Sequence, residues 1–257
     1  MAEQLVKRIH ILNVPLDSVE PDSLPALIRA LIDSNQPQNI VLLSVWDLLR
    51  ARRKGAYRSF VENAGLVIPI SASLIRGVRF LTGFRAHRYS PFDFIITLLT
   101  TIDDRDQRLY LLGGKSRLLY TVERNIRQTF PHISIVGRHT SDIKKHEENL
   151  LLQSIKRASP TLVLVGKGVR GREKWLAHHA EKLGPGLRLW GSDIYEVFAK
   201  KAGKPGRFLY KHGLEWLYYL FQKSWYFFRF FSFIRYNILL LVYKLFMRKN
   251  NDVDGSA

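Results

Sequence analysis

Two glycine-bearing turns are the parts of this chain whose residue types and spacing could handle a phosphate. Leu111-Leu112-Gly113-Gly114-Lys115-Ser116 reads as a strand end followed by a helix start. There, main-chain N–H groups and the helix dipole favour an anion, and two glycines permit close approach. The spacing matches neither a P-loop nor a dinucleotide fingerprint, and ordinary strand-to-helix turns use glycine in the same way. The second turn, Val165-Gly166-Lys167-Gly168-Val169-Arg170-Gly171-Arg172-Glu173-Lys174-Trp175, is richer, with three glycines and four cations before a helix. In a parallel sheet both turns lie at the carboxyl ends of strands, where α/β proteins bind ligands, so the two could face one crevice.

Other chemistry is sparse. The 8 histidines include the neighbours His178 and His179, which point in different directions on a helix, so no metal site and no cofactor are expected. Without cysteine there is no disulfide framework or zinc–thiolate cluster, which fits a reducing compartment. Residues 1–11 lack the apolar run of a signal peptide, and the body reads as cytoplasmic.

Positioning such turns requires a particular scaffold. With 257 residues and 46% hydrophobic composition the chain can bury a substantial core. Short β-branched or leucine runs alternate with amphipathic stretches, the pattern of βα units on a largely parallel sheet. Strands are expected at 6–12, 39–44, 65–69, 108–112, 133–136, 161–165 and 187–190. Helices are expected at 22–33, 46–62, 72–81, 91–102, 116–130, 143–157, 171–183 and 193–199. The fold class is therefore α/β, a Rossmann-like, largely parallel sheet with flanking helices over residues 1–200. Gly203, Pro205 and Gly206 mark the change to a different segment at 201–249, and 250–257 reads as a disordered tail.

That segment carries much of the charge. The formal net charge is +18, and residues 200–250 hold eleven Lys or Arg against the single acid Glu215. The same region holds 16 of the 31 aromatic residues. Lys223, Arg229, Arg235 and Lys244 interrupt the stretch 217–247, so it cannot supply the roughly 20 apolar residues of a membrane span. At about 100° per residue, Lys211, Glu215, Gln222, Arg229, Asn237 and Lys244 fall on one stripe, with Arg235 outside it. A narrow polar stripe beside a broad aromatic face suits an interfacial helix whose basic side chains reach lipid phosphates. A helix packed in an oligomer or against the core is the plainer alternative, and a homo-oligomer is compatible with it. Nucleic acid is not expected, because single-strand binders space their aromatics on strands and here they come in blocks.

The order LLGGKS, then LVLVGKGVRGREKW, then HGLEWLYYLFQ resembles the WecG/TagA/CpsF family of bacterial glycosyltransferases over about residues 9–233. The family's GxGxPxQExW motif looks like Gly166, Gly168, Glu173 and Trp175, with Arg170 and Arg172 at its Pro and Gln positions. Its EW motif matches Glu215 and Trp216, and its RVxGxD-like stretch resembles Arg88-Tyr89-Ser90-Pro91-Phe92-Asp93. Read without the resemblance, Glu173 and Asp93 are equally helix-capping or ion-paired carboxylates, and Trp175 and Trp216 core residues.

The resemblance implies transfer of an N-acetylmannosamine-type sugar from a UDP-sugar donor to a polyprenyl-diphosphate-linked acceptor in envelope polysaccharide synthesis. The protein would act as a peripheral protein at the cytoplasmic face of the inner (plasma) membrane, with an anionic membrane surface as partner. The donor diphosphate would sit near Gly113, Gly114, Lys167, Gly168, Arg172 and Glu173. Arg88, Lys211, Arg229, Arg235 and Lys244 would face the acceptor or the membrane. Departures from the pattern accompany this. The family's base Asp aligns near Ile70, where neither isoleucine nor the following Ser71 can take a proton alone. Asp47 or Asp93 could substitute, and Ser44 stands where a TPN-like hydroxyl is expected. Arginines that the family carries near Tyr219 and Tyr226 are absent. The alternative is a catalytically inactive homologue that binds a lipid-linked sugar or scaffolds envelope enzymes.

Overall fold

The computed structural model describes residues 5–171, 173–199 and 227–254. Its centre is a six-stranded parallel sheet of β3 (Pro37–Leu43), β4 (Leu66–Pro69), β5 (Arg108–Leu112), β6 (Ser134–His139), β7 (Leu162–Gly166) and β8 (Gly186–Ser192), ordered β4-β3-β8-β7-β5-β6. Parallel strands covered on both faces read as nearly continuous apolar runs, and β7 (LVLVG) is buried along its whole length. The expected Rossmann-like α/β sheet is present.

Side chains alternate across the sheet. Val41, Leu43, Val67, Leu112, Val163 and Val165 enter one core cluster. It is closed by α2 (Val45–Ala51), α3 (Ala56–Glu62), α4 (Ala72–Thr82), α7 (Glu148–Ala158) and α8 (Glu173–His179). Ile40, Ile68, Leu109, Leu111, Leu164 and Leu189 enter the other, closed by α1 (Leu24–Asp33), α5 (Pro91–Asp103), α6 (Ser116–Thr129) and α9 (Ile194–Phe198).

Four elements differ from the sequence expectation. The run at 6–12 gives β1 (Lys7–Ile11), which leaves the parallel sheet and forms an antiparallel hairpin with β2 (Val14–Ser18). Leu12 and Asn13 turn the hairpin at φ 50° and 64°, the paired left-handed geometry of a two-residue turn. The helix expected at 46–62 is broken between Ala51 and Ala56, where Gly55 takes φ 134°. The helices expected at 143–157 and 171–183 begin later, at Glu148 and Glu173.

The hairpin is fastened by one carboxylate. Asp17, 1% exposed, accepts Arg8 Nε at 2.7 Å and Nη2 at 2.8 Å. It also takes the main-chain N–H of Val67 at 2.7 Å. Because β4 is an edge strand, this bond closes an amide that would otherwise template foreign pairing.

The last described element, α10 (Phe227–Asp254), packs along α4 and α2. Tyr236 and Leu240 are buried in the first cluster, and the Tyr236 hydroxyl donates to Ser73 O at 3.1 Å. Opposite that buried side, Phe231, Ile234, Ile238, Leu241 and Leu245 are exposed. Apolar residues therefore occupy both the buried and the exposed side, with Asn237 and Lys244 on one flank and Arg235 outside that stripe. Among the described residues no helix is long and apolar enough to cross a membrane.

Replacing Asp17 with Ala leaves Arg8 and the Val67 amide without their acceptor. We expect a loss of about 3 kcal/mol in urea unfolding, with Arg8→Ala costing clearly less because its guanidinium is partly solvated.

Candidate active site

Every parallel strand ends at the same edge, and α2, α4, α6, α8 and α9 each begin there. This is the side on which open α/β sheets bind ligands. The two glycine turns meet on it. Gly113 N–H donates to His139 O at 2.8 Å, Gly114 N–H to Lys167 O at 2.8 Å, and Ser141 N–H to Gly114 O at 2.9 Å. Glycine is required by close approach: a Cβ on Gly113 would stand 2.7 Å from Gly166 O, and one on Gly168 2.7 Å from Ser141 Oγ. Both take positive φ, 107° and 101°.

Beneath them lies Tyr195, fully buried. Its hydroxyl donates to Leu164 O at 2.6 Å and accepts Leu112 N–H at 3.1 Å, stitching the ends of β5 and β7. Burial raises the Tyr195 hydroxyl well above its usual titration range, so it stays a neutral donor.

This ridge differs from a simple phosphate cradle. The amide hydrogens of Gly113 and Gly114 are committed to protein carbonyls, so an anion would meet the first-turn amides of α6 and the exposed Lys115 instead. Lys167 Nζ lies 3.1 Å from Asp193 Oδ1. Arg172 lies outside the described residues.

Next to the ridge is a carboxylate cluster. Asp47 Oδ2 accepts the Ser44 hydroxyl at 2.5 Å and the Ser44 N–H at 3.1 Å. Ser44 Oγ in turn accepts Asp47 N–H at 3.3 Å, a reciprocal capping box at the start of α2. Arg50, one turn on, donates from both terminal nitrogens to Glu173 Oε2 at 3.3 Å and lies 3.6 Å over the Tyr57 ring. The break before α3 makes that stacking possible. Burial raises the Asp47 carboxyl above the usual range; the Ser44 hydroxyl opposes this, the Glu173 charge adds to it and the Arg50 charge opposes it. Tyr57 is raised by burial, then by the charges of Asp47 and Glu173. Burial, with the Glu173 charge, thus favours the protonated form of Asp47 over what an exposed carboxyl would show, a direction of shift found in general bases and acids.

Ile70 stands beside this cluster. Its N–H donates to Leu43 O at 3.0 Å, and Leu43 pairs with Pro69 in the sheet. The main chains of position 70 and Ser44, each one residue past a paired strand end, are therefore neighbours at about one strand spacing, roughly 5 Å, while the Ile70 side chain packs against the second core cluster. The loop 83–90 returns to the same place, since Tyr89 N–H donates to Pro69 O at 3.1 Å. Arg88 is half-buried in that loop. Asp93 is exposed on the first turn of α5, with Pro91 at the helix start, where a negative charge complements the helix dipole.

Some expected site residues are elsewhere. Lys244 Nζ donates to Phe80 O at 3.0 Å, at the far end of α4. Exposed Arg235 lies close enough to Arg52 for its charge to lower the Arg52 pKa, a smaller cause than burial. Arg229 lies on the first turns of α10. Lys211, Glu215 and Trp216 lie outside the described residues. Trp175 is a core residue, 6% exposed, with Nε1 donating to Glu148 Oε1 at 2.7 Å. Sequence reading missed Ser141, Tyr195, Arg50 and Tyr57. Only Arg50 carried a local signal, three residues after Asp47 on the same helix side. Among the described residues no group of three or more His, Asp or Glu could hold a metal ion.

Sheet order and the strand-to-helix turns at the carboxyl edge define a Rossmann-like α/β protein, with helix N-termini and the Asp47 carboxyl at that edge. The family model "Glycosyl transferase WecG/TagA/CpsF family" matches residues 9–252, and the chain belongs to that family of glycosyltransferases. It is 22% identical over 185 residues to an N-acetylglucosaminyldiphosphoundecaprenol N-acetyl-beta-D-mannosaminyltransferase of Bacillus subtilis (strain 168), covering 72% of each chain. To a Staphylococcus aureus (strain NCTC 8325 / PS 47) enzyme of the same name it is 20% identical over 214 residues, 82% of this chain and 83% of that one. Among solved structures, a variant of arylmalonate decarboxylase in a sulfate-associated form matches at 13% identity and TM-score 0.26, covering 72% of this chain and 77% of that one, a likeness too loose to bear on fold or function.

Two outcomes follow. Because the folded-state pKa of Asp47 is raised, the stability this group contributes is fully present below the ordinary carboxylate range and is lost as pH rises through the raised value. Asp47→Asn should therefore flatten the pH dependence of the unfolding midpoint and leave stability at pH 8 equal to or above wild type, read by thermal melts from pH 4 to 8. Tyr195→Phe removes the bridge between β5 and β7, and should cost about 2 kcal/mol in urea unfolding by leaving a buried N–H and C=O short of a partner.

Proposed function

We propose that the protein transfers an N-acetylmannosamine-type sugar from a UDP-sugar to a polyprenyl-diphosphate-linked acceptor in envelope polysaccharide synthesis, with Asp47 as the base. The observation that carries this is the raised, cap-held Asp47 carboxyl beside position 70. There, the family's carboxylate is replaced by isoleucine. An acceptor hydroxyl loses its proton to Asp47 as its oxygen attacks the anomeric carbon. The bond from that carbon to the donor phosphate breaks, and UDP leaves with the electron pair. Cations and helix N-termini neutralise the charge that develops on the leaving group, which on this reading are Lys115, Lys167, Arg172 and the start of α6. Arg50 holds Glu173 and keeps a second carboxylate near Asp47, which sustains the proton affinity of the base.

The acceptor and donor names printed for the Bacillus and Staphylococcus relatives support this substrate class, and their residues align over most of both chains. In this reading residues 1–200 hold the donor and 201–249 meet an anionic membrane surface. The exposed side of α10 supplies the apolar contact, and Arg229, Arg235 and Arg52 lie near lipid phosphates.

UDP release from a panel of UDP-sugars, with a polyprenyl-diphosphate-linked acceptor in vesicles, tests the chemistry. We expect acceptor-dependent turnover that falls by about 100-fold or more in Asp47→Asn, falls in Arg172→Ala, and changes little in Asp93→Asn. No turnover across the panel, with lipid-acceptor binding intact, would instead identify a binding homologue, the reading favoured by Ile70 and by the structural use of Asp47 as a cap. For the membrane contact, truncating the tail would strip Tyr236 and Leu240 from the core, so surface substitutions are cleaner. Ile234→Glu with Ile238→Glu should release the folded protein from anionic liposomes in sedimentation, and unchanged sedimentation would refute the contact.

A further inference from the structure

A groove of about 370 Å³ lies between α4 and α10, within the range of small-molecule sites. Gly77, Phe80, Phe233, Leu240 and Leu241 supply its apolar walls, and Arg76 stands exposed beside them. Gly77 lets the helices come close, since a Cβ there would fall 2.0 Å from Tyr236 Oη.

The groove has a direction. Tyr236 bonds Ser73 O, and eight residues later Lys244 bonds Phe80 O and Leu81 O, so α4 and α10 run parallel. The start of α4 lies at the carboxyl edge of the sheet, two residues after Ile70. The nine residues of α10 before Tyr236 therefore carry it roughly 14 Å past the level of Ser73, at 1.5 Å per residue. One end of the groove thus opens toward the carboxyl edge of the sheet, with Arg76 near that mouth. Its outer wall is continuous with the exposed apolar side of α10 through Leu241.

We propose that this groove binds the isoprenoid chain of the acceptor lipid, an inference that rests on the substrate class proposed above. A diphosphate at the carboxyl edge would meet Arg76. The first isoprene units would lie between Gly77, Phe80 and Leu240, and the rest of the chain would leave over Leu241 toward the membrane. A water-soluble acceptor needs no such path, whereas a lipid-linked one must hold its sugar at the site while its tail stays in an apolar phase. Charge at one end and apolar walls along the remainder match that division.

The test is binding of geranyl, farnesyl and geranylgeranyl diphosphate, each below its aggregation concentration, to full-length protein by calorimetry, with inorganic diphosphate as reference. We expect geranylgeranyl diphosphate to bind at least about tenfold more tightly than geranyl diphosphate, from burial of added apolar surface. Leu241→Trp and Asn237→Trp, which fill the groove from its outer wall and its flank, should each abolish most of that gain. Inorganic diphosphate affinity and the thermal midpoint should stay unchanged. Equal affinity along the series in wild type would overturn the proposal, as would a gain that survives in both folded variants. Chain-length gain without sugar transfer would refute the catalytic reading and leave the groove standing; transfer without chain-length gain would do the reverse.

Discussion

The structure depends on the meeting of two glycine turns over one buried tyrosine. Parallel strands bring their carboxyl ends to one edge, but nothing in that arrangement fixes how closely neighbouring turns approach. Tyr195 does so by bonding Leu112 and Leu164 at once, while Gly113 lets its main chain approach that of Gly166 and Gly168 leaves room for the Ser141 side chain. The cost is that amides which a sequence motif offers to a phosphate are spent on protein carbonyls. On the proposed reading, anion recognition falls to the first turn of α6 and to cations above the ridge.

The second constraint concerns a carboxyl group. Ser44 and Asp47 cap α2, a structural task that many helices give to the same pair of residue types. What separates this cap from an ordinary one is its setting. Burial and the Glu173 charge raise its proton affinity, and on the proposed reading it stands in for the aspartate that the family keeps near position 70. One side chain can both start a helix and accept a proton, and the cap then fixes its orientation before the acceptor arrives, which reduces reorganisation in the transition state.

Much of the fold was legible because buried parallel strands read as apolar runs, and six of the seven expected strands form the parallel sheet near their expected positions. β2 was not legible: Val14-Pro15-Leu16-Asp17-Ser18 contains a proline and an acid and reads as a loop, yet Asp17 is buried by its bonds to Arg8 and Val67. The split between α2 and α3 was written in Gly55 and the preceding run of cations, but only the Arg50–Tyr57 stacking shows what the break achieves. Of the site, the glycine turns and Asp47 were visible as residue types at strand ends. Tyr195, Ser141 and Tyr57 reach the site through contacts far apart in sequence, for which no local pattern exists. In α10 the wheel gave the angular separation of polar and apolar residues, while the choice of which apolar side meets the body depended on Gly77 making room for Tyr236.

The central claim is that Asp47 supplies the carboxylate absent at position 70, and relocation tests it most directly. Acceptor-dependent UDP release would be measured for wild type, Asp47→Asn, and the double variant Asp47→Asn with Ile70→Asp. The account predicts that turnover collapses in the single variant and returns in part when aspartate is placed on the adjacent strand end. Wild-type turnover in Asp47→Asn would contradict it.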